Sequence, residues 1–463
     1  MSGQRQLLWA PQAWLHGGWR SNVLLATGAD GRWAAVVPDS PCPPDAQRLD
    51  GPVLPGLVNA HSHAFQRAFA GLAEQRSGEH DDFWGWRERM YAVALRIGPD
   101  ALEAVATQLY AELLAGGYTQ VCEFHYLQHQ PDGQPYADPL TLAAALARAA
   151  QTVGIGLTLL PVLYERAGFG QPTLRAEQRR FASNAASVHA LRNGVRRWAL
   201  PLVNAGVAVH SLRAAAPASI AALHALVGDD DAPIHIHIAE QTAEVDDCLA
   251  ATGRRPIDWL TRALPLDRRW QLVHATHAEA AEIAAVAASG AGVVICPSTE
   301  ANLGDGLPDL PRWLHQGSAL ALGSDSHVNR AWPAELRLLE YGQRLRLRQR
   351  NVAAAPELGQ PSSAAHLFNR MLAGGAGAAG LAAWGLQAGA RADLLLLDRR
   401  AAGLRGVPPA QALDALVFAS DTPALHAVWV AGRQVLQQGQ VPLATAIGER
   451  FDDAMATLWA GQA

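Results

Sequence analysis

No stretch of the chain approaches the roughly 18 uninterrupted apolar residues that a membrane-spanning helix requires, although 49% of its 463 residues are hydrophobic. The apolar content is spread in short runs, which suits a sizeable core and not a bilayer. Cysteine is scarce: Cys42, Cys122, Cys248 and Cys296 lie far apart with no CxxC pair. That excludes a disulfide scaffold and fits a reduced, cytoplasmic protein. Charge of one sign is also lacking. Only 17% of residues are charged, the formal net charge is −5, and no basic stripe or polybasic tail occurs. Nucleic acid and anionic membranes are therefore not expected partners. No GxGxxG follows a strand and no GxxxxGK[ST] is present, so nucleotide binding has no support. The first twenty residues interrupt any apolar run with Gln, Arg, His and Pro, and no signal peptide is expected.

What is present is an alternation. Between residues 55 and 384, short buried-strand runs alternate with Ala- and Leu-rich helical stretches. The candidate strands are Val53–Ala60, Gln120–Phe124, Gly156–Val162, Val207–Ser211, Ile234–Ile238, Trp270–His274, Gly292–Cys296 and Leu320–Gly323. Pro99–Ala115 reads as a helix, with Gly116-Gly117 as its stop signal. Eight strands over this length predict an α/β fold, a (β/α)8 TIM-type barrel. The ends differ in texture. Ser21–Ala26, Trp33–Val37, Arg391–Asp398 and Ala427–Val435 read as strands broken by Gly, Asp and Pro turns. Residues 1–54 and 385–463 are thus expected to form one small β-sandwich, with a C-terminal helix.

Four clusters fall at the ends of the predicted barrel strands. Strand one ends in Pro55-Gly-Leu-Val-Asn-Ala-His61-Ser-His63. Residues two apart in extended chain face one side, so His61 and His63 can converge on one ion, and imidazole nitrogens suit zinc. Strand five ends in Ile234-His-Ile-His237-Ile-Ala-Glu240. His237, nearer the strand's C-terminal end than His235, is the better third ligand, because barrel active sites collect at that end. Glu240, a short step beyond, is placed to shuttle protons between water and a leaving nitrogen. Strand six ends in Trp270-Gln-Leu-Val-His274, whose imidazole could donate a hydrogen bond to a developing tetrahedral centre. His277, three residues further, reads as a surface histidine. Strand eight ends in Leu320-Ala-Leu-Gly-Ser-Asp325-Ser-His327, and Asp325 completes a His3Asp set. Each residue alone has an ordinary reading, such as a turn aspartate or a solvated glutamate. Four strand ends of one barrel supplying complementary parts do not.

With these motifs the sequence resembles the amidohydrolase superfamily over nearly its whole length. PGLVNAHSH, HIHIAE, VHATH and LGSDSH are similar to the deaminase and chlorohydrolase branch of that superfamily. The resemblance implies one Zn2+ per subunit held by His61, His63, His237 and Asp325, with Glu240, His274 and Asp325 as catalytic groups. A carboxylated lysine bridging two metals is not expected, since no lysine stands near a strand end. A narrower similarity is to the formimidoylglutamate deiminase family. It is carried by His61-Ser-His-Ala-Phe-Gln66-Arg, Asp82-Phe-Trp-Gly-Trp-Arg87-Glu-Arg-Met-Tyr91, Glu123-Phe-His-Tyr126 and Val209-His210-Ser-Leu-Arg213. That similarity implies substrate binding by Gln66, Arg87, Tyr126, His210 and Arg213, and hydrolysis of N-formimino-L-glutamate, a small dicarboxylate, in histidine degradation. Planar guanidinium groups bind carboxylates bidentately, so the two arginines suit such a substrate. Arg87 could instead pack among tryptophans or pair with Glu88. The alternative is a deaminase or chlorohydrolase of a purine, pyrimidine or triazine. A non-catalytic scaffold would have lost ligands that this chain retains. The expected assembly is a homodimer. His125 and His129, crowded at the exit of strand two, receive no role.

Overall fold

The computed structural model describes residues 6–75 and 83–460; Asp82 of the quoted Trp-rich segment lies outside them. Eight parallel strands close into a barrel. They are β1 (Leu57–Ser62), β2 (Tyr118–His125), β3 (Gly156–Leu163), β4 (Val207–Val209), β5 (Ile234–Ile238), β6 (Trp270–His274), β7 (Gly292–Ile295) and β8 (Ala319–Leu322). Neighbours in sequence are neighbours in space. Two contacts close the ring: β4 pairs with β3, and β8 pairs with β1 through Leu322 and Asn59. A three-residue strand, Val203–Ala205, adds to β3 at the edge. The strands are buried along their length apart from Ala319, as expected where helices cover a parallel sheet.

Local sequence explains the crossovers. The helix α1 spans Phe83–Ala94 and α2 spans Pro99–Ala115. Proline at the first position of α2 removes an N–H that would have lacked a partner, and its fixed φ is already helical. At the far end, the Gly116 N–H donates to Glu112 O and the Gly117 N–H to Leu114 O, and the chain turns directly into β2. The Ala/Gly-rich segment near residue 374 belongs to the helix Ser363–Ala378, which lies against β8 and β1. Its composition has a steric cause. A Cβ on Gly374 would collide with the Leu320 backbone, and one on Gly375 would press on Val58. The helix end also plugs the bottom of the barrel. Cys122, Thr158, Asn204 and His235 bond the carbonyls of Ala378 and Ala379.

Both chain ends build one eight-stranded sheet, in which Val53–Leu54 pairs with Leu394–Leu397 and so joins the N-terminal to the C-terminal half. The strands Leu425–Val430 and Arg433–Gln437 turn at Ala431-Gly432, both with positive φ. Leu7–Leu15, not anticipated from sequence, pairs along its whole length with Gly18–Thr27. This sheet encloses a core of its own, with Trp33, Val53, Leu394 and Trp429. The C-terminal helix Ala444–Trp459 leaves the sheet and packs on α2; Trp459 Nε1 donates to Ala68 O at 3.0 Å. Among the described residues no helix is long and apolar enough to cross a membrane.

Inserting side-chain volume at the helix–barrel contact should be costly. Gly374→Val is expected to lose about 1–3 kcal/mol or more of stability by overpacking, read as a lower urea midpoint. Gly377→Ala, where a Cβ meets nothing within 4 Å, should leave the midpoint unchanged.

Candidate active site

The parallel register delivers every strand's C-terminal end to one rim of the barrel. On β1, His61 and His63 face inward. The rim between β8 and β1 is closed by a bridge between Ser62 and Asp325. The Nε2 atom of His61 lies 3.1 Å from that of His63 and 2.9 Å from that of His237. Asp325 Oδ1 stands 3.4 Å and 3.3 Å from the Nε2 atoms of His61 and His63. Four donors held tetrahedrally at about 2.0–2.1 Å from a zinc ion would sit about 3.3–3.4 Å apart. The tautomers point the same way. His63 Nδ1 donates to Phe124 O and His237 Nδ1 to His210 O, each at 3.0 Å, which turns both Nε2 lone pairs toward the centre. Burial holds His61 neutral, with its pKa lowered to about 3. Lone pairs brought this close in a dry site repel unless a cation lies among them, so the donor set fits a divalent metal. His235 shares the inward face of β5 but sits deeper, where its Nε2 bonds Ala378 O at 2.8 Å. It serves the bottom of the barrel.

Glu240 and His274 flank this cluster. His274 Nε2 lies 3.6 Å from Glu240 Oε1 and 3.8 Å from Asp325 Oδ2. Burial raises the Glu240 pKa to about 7, with the His274 charge working against that rise. Burial also opposes a charge on His274, but the Glu240 carboxylate outweighs it, together with Cys296 and Glu300 behind the ring, and raises the imidazole well above its ordinary value. Each charge therefore favours the other, the carboxylate of Glu240 the imidazolium of His274 and the reverse. His274 and Asp325 both carry positive φ, +71° and +45°. For non-glycine residues such a backbone costs about 1–3 kcal/mol each, and it concentrates at functional sites.

Sequence reasoning missed the groups that hold these parts in place. Glu123, buried at the end of β2, accepts from Ser62 Oγ at 2.7 Å and from the Ala64 N–H at 2.6 Å. It thereby clamps the His-Ser-His turn on both sides of His63. Glu300 accepts from the Cys296 N–H at 2.9 Å and stands 3.4 Å from His274 Nδ1. The placement of Glu123 near the end of β2 hinted at this, whereas Glu300, inside the short helix Pro297–Leu303, gave no such sign.

A cavity opens above the cluster, lined on one side by Glu240, His274 and Asp325. Its other walls carry Gln66, Arg87, Tyr126, His210 and Arg213, so the structure brings all five anticipated residues together. Gln66 Nε2 donates to Tyr126 Oη at 3.0 Å. Arg87 stands over the Tyr91 ring at 5.6 Å and lines the cavity of its own chain. Arg213 Nε is buried with no hydrogen-bond partner among the described residues. His125 is buried outside the lining of this cavity, and His129 donates to Ala182 O at 2.8 Å. His277 is half-buried, not a surface residue.

Removing the converging donors should abolish metal retention. His61→Ala, His237→Ala and Asp325→Ala are each expected to carry well under one equivalent of metal by atomic absorption, whereas His235→Ala should keep it. Full occupancy in His237→Ala would assign the third donor elsewhere.

Comparison with known proteins agrees with this architecture. Residues 53–435 match the model of the amidohydrolase family. The chain is 48% identical over 437 residues to the formimidoylglutamate deiminase of Pseudomonas aeruginosa, covering 94% of this chain and 95% of that protein. It is 30% identical to an 8-oxoguanine deaminase of the same organism, over 73% of this chain and 76% of the other. A crystal structure of an amidohydrolase from Brucella melitensis superposes with a TM-score of 0.93 at 40% identity, covering 98% of this chain and all of that one (100%). A zinc-complexed atrazine chlorohydrolase from Arthrobacter aurescens, 19% identical, shares the fold with a TM-score of 0.81, over 98% and 99% of the two chains. Barrel, strand-end donors and family match coincide: this chain belongs to the amidohydrolase family.

Proposed function

We propose that the chain hydrolyses N-formimino-L-glutamate to N-formyl-L-glutamate and ammonia, in the degradation of histidine, with zinc as its metal. The observation that carries the substrate assignment is Arg213. Its Nε is buried and unpartnered beside a proton-shuttling carboxylate, and a second guanidinium, Arg87, lines the same cavity. A buried guanidinium N–H without a partner is expensive, so the Arg213 Nε calls for an acceptor on the ligand. A carboxylate meets that demand. A neutral purine or pyrimidine ring supplies no charge to match Arg213. The similarity to the Pseudomonas deiminase supports the same reading.

His61, His63, His237 and Asp325 would hold the metal, one ion per subunit. When bound, zinc acts as a Lewis acid that lowers the pKa of a coordinated water from 15.7 toward about 7. The remaining work falls to side chains. Arg213 and Arg87 bind the carboxylates, while Gln66, Tyr126 and His210 orient the formimino end. Water adds to the formimino carbon, and Glu240 accepts the water proton. With a pKa near 7, Glu240 then returns that proton to the imino nitrogen, the new hydroxyl on the tetrahedral carbon gives its own proton to the same nitrogen, and the carbon–nitrogen bond breaks to leave the formyl C=O and ammonia. His274, charged and aimed by Glu300, donates its Nε2 proton in a hydrogen bond at the reacting centre. Asp325, 3.8 Å from His274 Nε2, assists the transfer. The four thiols are all unpaired, in keeping with a reducing compartment.

Glu240→Gln keeps the shape but cannot accept a proton, and general acid–base groups contribute roughly 10²–10⁴-fold. Turnover should fall by about that factor with metal content unchanged; a parent-like kcat would remove Glu240 from the mechanism. Arg213→Met should lower kcat/KM for formiminoglutamate by about tenfold to a hundredfold, the value of about 1.5–3 kcal/mol for a charge-assisted hydrogen bond. Metal content should again be unaffected. Equal activity of the parent on formiminoglutamate and on a formimino compound lacking one carboxylate would overturn the dicarboxylate assignment.

A further inference from the structure

Two tyrosines complete the cation-bearing wall of the cavity, and their hydroxyls are organised by a residue one layer behind them. Gln178 is fully buried on the short turn Ala176–Phe181. Its Oε1 accepts the Arg175 N–H at 3.0 Å. A backbone N–H needs an acceptor, so this contact fixes which end of the amide is oxygen. Nε2 then donates to Tyr164 Oη at 2.8 Å and to Tyr91 Oη at 3.2 Å.

Counting protons gives the consequence. Gln178 spends both amide hydrogens on one lone pair of each tyrosine. Each tyrosine O–H is left to find an acceptor of its own, and both side chains line the cavity. The surroundings suit only one kind of acceptor. Arg87 stands over the Tyr91 ring, and both Arg87 and Arg213 act on Tyr164 by their charge. Among the described residues the acids lining the cavity are Glu240 and Asp325, both of the metal-side cluster. Among those residues the wall therefore presents donors: two guanidinium groups and the tyrosine hydroxyls.

We infer that Tyr91 and Tyr164, oriented by Gln178, supply a further hydrogen bond to a carboxylate of the substrate and so contribute to selection of a dicarboxylate. This rests on the function proposed above and extends it to residues outside the anticipated set. Tyr164 also fixes the neighbouring His210, whose ring it meets edge-on at 4.4 Å between centroids, so the same tyrosine couples the carboxylate wall to the formimino end.

The test compares Tyr91→Phe, Tyr164→Phe and Gln178→Glu in the metal-loaded enzyme. Gln178→Glu still accepts the Arg175 N–H, but it turns a donor into an acceptor; both tyrosine protons then point to it and none is left for the ligand. For formiminoglutamate, kcat/KM should fall by about tenfold or more in Gln178→Glu and in at least one Phe variant, mainly through KM, as expected for a lost hydrogen bond to a charged group. The Kd of the product N-formyl-L-glutamate, from calorimetry, should rise in parallel. At least one of two mono-acid analogues, the formimino derivatives of 4-aminobutyrate and L-2-aminobutyrate, should be indifferent to the substitutions. A purely structural role would instead depress all three substrates alike and lower the unfolding midpoint. Parent-like KM and Kd in all three variants, or equal losses on every substrate, would overturn the inference. Inactivity of the parent itself on formiminoglutamate would sink the functional reading first, so the two failures are distinguishable, and the isosteric Phe variants decide the matter if Gln178→Glu does not fold.

Discussion

The Nε2 atom of His61 lies 2.9–3.4 Å from the Nε2 atoms of His63 and His237 and from Asp325 Oδ1, in a site that burial has dried. Without a cation the lone pairs of His61, His63 and His237 would push one another apart. With one, the same proximity becomes coordination. Much of the surrounding structure maintains this crowding. Glu123 clamps the turn that carries His63, the Phe124 and His210 carbonyls fix two tautomers, and Asn59 and Ser324 bond each other across the β8–β1 seam at 2.7 Å. The left-handed backbones of His274 and Asp325 are strain that the packed rim around them holds in place.

The barrel makes such an arrangement affordable by separating stability from chemistry. Its lower end is filled by the helix Ser363–Ala378, whose terminal carbonyls take hydrogen bonds from β2, β3 and β5. Apolar layers, among them Val121, Leu157, Ile236 and Leu272, occupy the strands between. The upper end can then carry polar groups whose burial would be unfavourable in a smaller fold. His235 and His237 illustrate the division. They share one face of β5, yet the first satisfies a helix end and the second joins the metal donors.

Much of this was legible in the sequence. Trp33–Val37, Ile234–Ile238 and Trp270–His274 appear with the boundaries their apolar runs suggest, and Pro99–Ala115 begins at its proline and stops at its glycine. The strand-end motifs lie at the rim because parallel strands of equal polarity leave no other place for them. Leu7–Leu15 was not legible, since Pro11 and Gln12 interrupt its pattern; it is held as a strand by pairing with Gly18–Thr27 on one side and with Gln47–Arg48 and Val53 on the other. The C-terminal helix carries no local sign that its apolar face belongs to α2. Glu300 and Gln178 were out of reach for the same reason: their importance lies in contacts with residues 26 and 87 positions away, and no local pattern records those.

The two halves of the cavity make different demands. The metal side is common chemistry for this family, whereas in the proposed reading the wall with Arg87, Arg213, Tyr91 and Tyr164 selects the substrate. Ammonia release by the purified, zinc-loaded enzyme across formiminoglutamate, guanine, cytosine and adenosine tests both at once. Hydrolysis of formiminoglutamate with little or no turnover of the three neutral bases is the result this account predicts. Efficient deamination of any of those bases, with formiminoglutamate inert, would contradict it.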